Sequence, residues 1–68
     1  MKLSARNILP GTVVEILAGA VTSHVRIDMG GKIVTASITN EAVAELGLAV
    51  GEPAYAIIKA SDVMVGKD

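Results

Sequence analysis

Two short polar clusters, Ser4-Ala5-Arg6-Asn7 and Lys59-Ala60-Ser61-Asp62, combine hydroxyls with cations at the margins of otherwise apolar segments. An oxyanion accepts hydrogen bonds and gives none, so a cradle for one needs donors without acceptors. Arg6 and Lys59 carry permanent positive charge, while Ser4, Ser61 and nearby backbone N–H groups are neutral donors that can be aimed. Residues of this kind hold a small anion rather than transform it.

The other residues with chemical potential are isolated. His24 is the only imidazole, and Asp28 lies two same-face positions along the strand, so no catalytic triad is built around it. Glu15, Asp28, Glu41, Glu45, Glu52, Asp62 and Asp68 are scattered, without the spacing of a calcium loop or of a glycosidase carboxylate pair. Gly30-Gly31 joins two strands instead of opening a helix, which makes it a hairpin turn and not a phosphate loop.

The elements that must position the clusters are legible in the patterning. Residues 21 to 29 alternate, with Val21, Val25, Ile27 and Met29 on one face and Thr22, His24, Arg26 and Asp28 on the other. After the Gly30-Gly31 turn, Lys32 to Ile38 resumes the alternation through Val34, Ala36 and Ile38. A first strand is expected over Gly11 to Leu17, which is β-branched and apolar. Thr39-Asn40-Glu41 supplies an N-cap and an acidic first turn, Ala42, Val43 and Leu46 an apolar stripe, and Gly47 a stop for about two turns of helix. Pro53 opens a strand over Ala54 to Lys59, and Val63 to Val65 makes a short final one. The order β-β-β-α-β-β describes an all-β chain, a small OB-like Greek-key barrel of five strands with one short helix between strands 3 and 4.

Size and composition constrain the assembly. A chain of 68 residues is one domain, below the length at which a single core is comfortably stable. It has no cysteine and one His, so neither disulfides nor a structural metal can compensate. Hydrophobic residues make up 51% of the chain with no Phe or Trp, more apolar surface than one small core can use, and a homo-oligomer is the natural place for the surplus. The net charge of −1 offers no field for nucleic acid or an anionic membrane. No apolar run approaches a bilayer span and Met1-Lys2-Leu3-Ser4 does not begin a signal peptide, so a cytoplasmic protein is expected.

Read in order, Ser4-Ala5-Arg6-Asn7, Leu9-Pro10-Gly11, Ala36-Ser37-Ile38-Thr39, Leu46-Gly47-Leu48, Gly51 and Ile58-Lys59-Ala60-Ser61-Asp62-Val63 resemble the molbindins, small molybdenum-pterin-binding proteins. The resemblance spans residues 3 to 66. It implies one Mop domain over residues 1–68, a TOBE-type OB fold that binds molybdate or tungstate in the cytoplasm for storage or homeostasis and is not an enzyme. Relatives with one domain per chain assemble as hexamers, trimers of dimers, with oxyanions between subunits.

Carried over by the resemblance, the main oxyanion site uses the side chains of Ser4, Arg6, Lys59 and Ser61 with an N–H of Ala60 or Ser61. Thr39 reaches in from a neighbouring subunit, where N–H groups near Ala42 add donors. Related regulator domains carry serine and arginine at the positions of Ala42 and Glu45, so those two side chains are not expected to bind here. A second site near a threefold axis would fall on Gly19, Ala20, Val21 and Thr22. Two rival readings are an OB-fold nucleic-acid binder and a molybdopterin carrier. One tyrosine and a net negative charge disfavour the first, and the lack of aromatics to stack a pterin disfavours the second, so no organic cofactor is expected.

Overall fold

The computed structural model describes all 68 residues. Four strands, β1 (Asn7–Ala18), β2 (Thr22–Asp28), β3 (Ile33–Thr39) and β4 (Pro53–Ile58), form one antiparallel sheet in the order β3-β2-β1-β4. A helix, α1 (Asn40–Leu46), separates β3 from β4, and a single 3-10 turn covers Ala60–Asp62. The sheet curls, because β2 and β4 touch although they are not neighbours in it.

The long β1 organises the barrel. Its first half pairs with β4, from Asn7↔Ile58 to Thr12↔Pro53, and its second half pairs with β2, from Thr12↔Asp28 to Ala18↔Ser23. A bulge at Val14 interrupts the second ladder between Val13↔Ile27 and Glu15↔Arg26. The extra residue leaves Val13 buried and Val14 42% exposed, which explains why strict alternation fails in this strand. Across β2, Ser23, Val25 and Ile27 are buried, Thr22, His24 and Arg26 exposed and Asp28 half-buried, as the period of two requires. The outward pair Arg26 and Glu15 closes an exposed salt bridge of 2.8 Å.

Turn chemistry follows the sequence. Gly30 and Gly31 have φ of +80° and +99°, and the Asp28 carboxylate accepts from the Gly31 N–H at 2.8 Å. Thr39 caps α1, its Oγ1 accepting from the Ala42 N–H at 3.1 Å. Gly47, at φ +64°, ends the helix, its N–H donating to Ala44 O while the Leu48 N–H reaches Val43 O.

Two expectations are corrected. Val63 to Val65 does not form a fifth strand: the chain leaves β4 through the 3-10 turn, and Val63, Met64 and Val65 are 50%, 93% and 94% exposed. A strand needs a ladder partner, and within one chain this segment pairs with neither free edge of the sheet. Val21 does not join the core face of β2, because it lies in a tight turn whose backbone is held from outside: the Gly19 N–H donates to Thr22 O and the Asn40 N–H to Val21 O.

The core is small. Val13, Val25, Ile27 and Ala56 are its only buried hydrophobic residues, with Ile16, Met29, Val34, Ile38, Val43, Leu48 and Ala54 partly buried around them. Fifteen large hydrophobic side chains remain exposed, so the apolar surplus read from composition lies on the surface of the isolated chain.

Candidate oxyanion site

The antiparallel register of β1 and β4 brings the two polar clusters to one end of the sheet. Asn7 is opposite Ile58, and the same register extended one step sets Arg6 across from Lys59. The junction is held by a side chain, since Asn7 Nδ2 donates to Ile58 O at 3.0 Å. Ser4, Arg6, Lys59 and Ser61 are all exposed. Neither cation is neutralised, because the single salt bridge of the chain joins Arg26 to Glu15 on the outer face of the sheet.

The 3-10 turn orients the second cluster. Its closing bonds are donated by the Asp62 N–H to Lys59 O (2.9 Å) and by the Val63 N–H to Ala60 O (3.3 Å). The Ala60 and Ser61 N–H groups lie outside those bonds, as first-turn donors do. One end of the barrel therefore carries two unpaired cations, two hydroxyls and two backbone donors. Asp62 is the only carboxylate within the two clusters, at the far end of the turn.

Thr39 lies elsewhere in the same chain. It ends β3 opposite Thr22, beyond the far end of β1 from Arg6. β3 and β4 are the two edges of the sheet, with β2 and β1 between them. Within one chain no hydrogen bond joins Thr39 to Ser4, Arg6, Lys59 or Ser61.

Instead, Thr39 meets the Gly19–Thr22 segment. Ala20, Val21, Thr39, Asn40 and Glu41 line a shallow cleft of about 320 Å³. The buried Ser23 hydroxyl donates to Asn40 Oδ1, and Asn40 Nδ2 donates to Gly19 O at 3.0 Å, which ties the turn to the start of α1. Two of the donors assigned here are already engaged, the Gly19 N–H by Thr22 O and the Ala42 N–H by Thr39 Oγ1. The Thr39 hydroxyl proton remains free to point outward.

Sequence reasoning missed the parts played by Asn7 and Asn40. Each is an asparagine at an element boundary, a position where a side-chain amide commonly replaces a backbone partner. That signal marks both residues but names neither partner.

The fold matches a known class: residues 3–65 match the TOBE domain, and the chain belongs to that family, among its small molybdenum-pterin-binding proteins. These are binding proteins and not enzymes. The chain is 54% identical to a probable molybdenum-pterin-binding protein of Haemophilus influenzae over 67 residues, 97% of each chain. It is 41% identical to molybdenum-pterin-binding protein 1 of Clostridium pasteurianum over 66 residues, covering 96% of this chain and 97% of the relative. Among solved structures, a molybdate-binding protein from Sporomusa ovata superposes with a TM-score of 0.94 at 40% identity, over 98% of this chain and all of the other. The cytoplasmic molybdate-binding protein ModG, in a form with molybdate bound, superposes with a TM-score of 0.90 at 54% identity; the match covers 94% of this chain and 46% of ModG. No helix of the structure is long and apolar enough to cross a membrane.

Proposed function

We propose that this protein binds molybdate, or tungstate, at sites between copies of itself, and serves as a cytoplasmic store or buffer of molybdenum. The observation that carries this reading is the register Asn7↔Ile58, which joins Ser4 and Arg6 to Lys59, Ala60 and Ser61 at one end of the sheet. The pairing of Thr39 with Thr22, and not with the two clusters, supports an interface site, completed by Thr39 and the start of α1, including Ala42, of a neighbouring copy. The exposed apolar side chains support the assembly such a site needs, a homo-hexamer built as a trimer of dimers. Gly19 to Thr22, beside Thr39, remains the proposed second site.

Molybdate is a tetrahedral dianion at neutral pH, so every oxygen accepts and none donates. Arg6 and Lys59 offset part of its charge, and hydroxyls and N–H groups complete the shell without further repulsion among cations. A charge-assisted hydrogen bond is worth about 1.5 to 3 kcal/mol net. A handful supports micromolar affinity, about 8 kcal/mol, after ordering costs. Sulfate shares the charge and shape but has shorter bonds, so the size of the cavity discriminates against it. Protonated phosphate would turn an O–H toward a donor with no acceptor to receive it.

Titration calorimetry with molybdate, tungstate, sulfate and phosphate, paired with native mass spectrometry, tests the reading. The expected result is tight molybdate and tungstate binding, weak sulfate and phosphate binding, and a six-chain assembly. Sulfate or phosphate binding as tightly as molybdate overturns the ligand assignment. A monomer that binds no anion overturns the whole.

A further inference from the structure

The donors of the candidate site are not held by their own side chains. Ser4, Arg6, Lys59 and Ser61 are exposed, and none of their side chains makes a hydrogen bond within the chain. Long, flexible cations can follow a smaller ion inward, so Arg6 and Lys59 alone do not tell molybdate from sulfate. Discrimination by size falls to the short donors, the two serine hydroxyls and the Ala60 and Ser61 N–H groups, whose places the backbone sets. Such donors must be held to within about 0.5 Å to be selective.

One side chain supplies that support. Asn7, the first residue of β1, is half-buried and stands opposite Ile58, the last of β4. Its Nδ2 donates to Ile58 O at 3.0 Å, the one side-chain hydrogen bond between these two strands. A carbonyl only accepts, so the amide nitrogen is the atom that must face it. Ile58 O shares a rigid peptide plane with the Lys59 N–H. Lys59 then enters the 3-10 turn as its N-cap (φ −67°, ψ 139°), and its carbonyl accepts from the Asp62 N–H at 2.9 Å. The tilt of that plane therefore sets where the Ala60 and Ser61 N–H groups point. On its other side Asn7 is bonded to Arg6 and lies three residues from Ser4.

We infer that Asn7 is a positioning residue that determines anion specificity: its clamp on the Ile58 carbonyl keeps the short donors at a spacing that suits molybdate and withholds them from the smaller sulfate. Without the clamp the turn relaxes and the donors close on either ion. The inference rests on the molybdate reading above and adds what holds the site to size.

Asn7→Leu keeps the bulk of the side chain and removes its donor, whereas Asn7→Gln keeps the donor on a longer arm. Molybdate affinity by calorimetry, sulfate affinity by competition, Tm and native mass are measured for both and for the parent. Asn7→Leu is expected to lower the ratio of molybdate to sulfate affinity about three- to tenfold in an assembly of the parent's mass, and Asn7→Gln to recover part of it. Gly11→Ala, four residues further along β1, is the comparison for lost stability alone: its added Cβ would lie 2.6 Å from Asp28 O, so Tm falls while the ratio stays at the parent's value. Equal weakening of both anions by Asn7→Leu, an unchanged ratio, or no recovery in Asn7→Gln overturns the inference. Where Asn7→Leu does not assemble, Asn7→Thr, one atom shorter, carries the same expectation; failure of both to assemble makes Asn7 a residue of the fold and overturns its role in specificity. A parent that binds no molybdate, or binds sulfate equally, overturns the proposed function as well, whereas a selective parent with an equally selective Asn7→Leu overturns the inference alone.

Discussion

Gly11 stands where β1 passes from one partner to the other, opposite Ala54 on β4 and one residue before Thr12, which pairs with Asp28 on β2. A Cβ at this position would lie 2.6 Å from Asp28 O, 2.7 Å from Ile27 Cγ2 and 2.9 Å from Met29 Cγ. Carbon contacts are optimal at about 3.5 to 4.0 Å, so all three overlap by most of an ångström. The neighbours have little room to yield, because Ile27 is buried and the Asp28 backbone belongs to the ladder. Overpacking of this kind costs about 1 to 3 kcal/mol, and the loss of glycine's freedom in the unfolded chain returns about 0.4 to 1 kcal/mol. Gly11→Ala is therefore expected to destabilise by about 1.3 kcal/mol at the middle of these ranges and at most about 2.6 kcal/mol, a fall in Tm of roughly 5 to 10 °C for the middle value. Thermal and urea unfolding at matched protein concentration measure it, since assembly makes Tm concentration-dependent. Gly66→Ala is the control: its Cβ would meet nothing within 4 Å, and its effect should stay within about 0.5 kcal/mol. A Gly11→Ala protein as stable as the parent would refute the close approach of β1 and β2 at this point.

Arg6→Ala and Lys59→Ala each remove a charged donor, and each is expected to weaken molybdate binding roughly ten- to hundredfold with little change in Tm, read by calorimetry and melting in parallel. Ser23→Ala deletes the buried hydroxyl that donates to Asn40 Oδ1; leaving that acceptor unmet should cost about 1 to 3 kcal/mol in urea unfolding, and an unchanged midpoint would count against the network. Glu15→Gln breaks a salt bridge whose side chains are 42% and 45% exposed, so the loss should be below about 1 kcal/mol and shrink further in high salt; a larger, salt-independent loss would contradict the exposed pair.

Much of the fold was legible because its signals are local. The β2–β3 hairpin announced itself through period-two alternation and two adjacent glycines, both of which adopt positive φ. The helix was bracketed by Thr39 and Gly47, whose capping bonds lie within a few residues of each. The β1 bulge was illegible, since Val13 and Val14 are the same residue and only pairing across to Ile27 and Arg26 decides which one turns inward. The fifth strand misled for a related reason. Val63 to Val65 has strand composition, but a strand is a relation between two segments, and composition does not reveal whether a partner stands beside it.

The candidate site divides in the same way. Residue types alone pointed to its chemistry, because two cations and two hydroxyls set against the single carboxylate Asp62 suit an acceptor ligand. They also determined that the chain has more apolar surface than its core can absorb. Tertiary structure decided how the clusters are set: the register of β1 on β4, ending at Asn7↔Ile58, directs Arg6 toward Lys59 across 53 positions of sequence, while the pairing of β3 with β2 sets Thr39 beside Thr22. The physical reason is that side-chain chemistry belongs to single residues and is written in their order, whereas convergence depends on hydrogen-bond ladders between distant segments, whose alignment is set by the burial of the whole curled sheet.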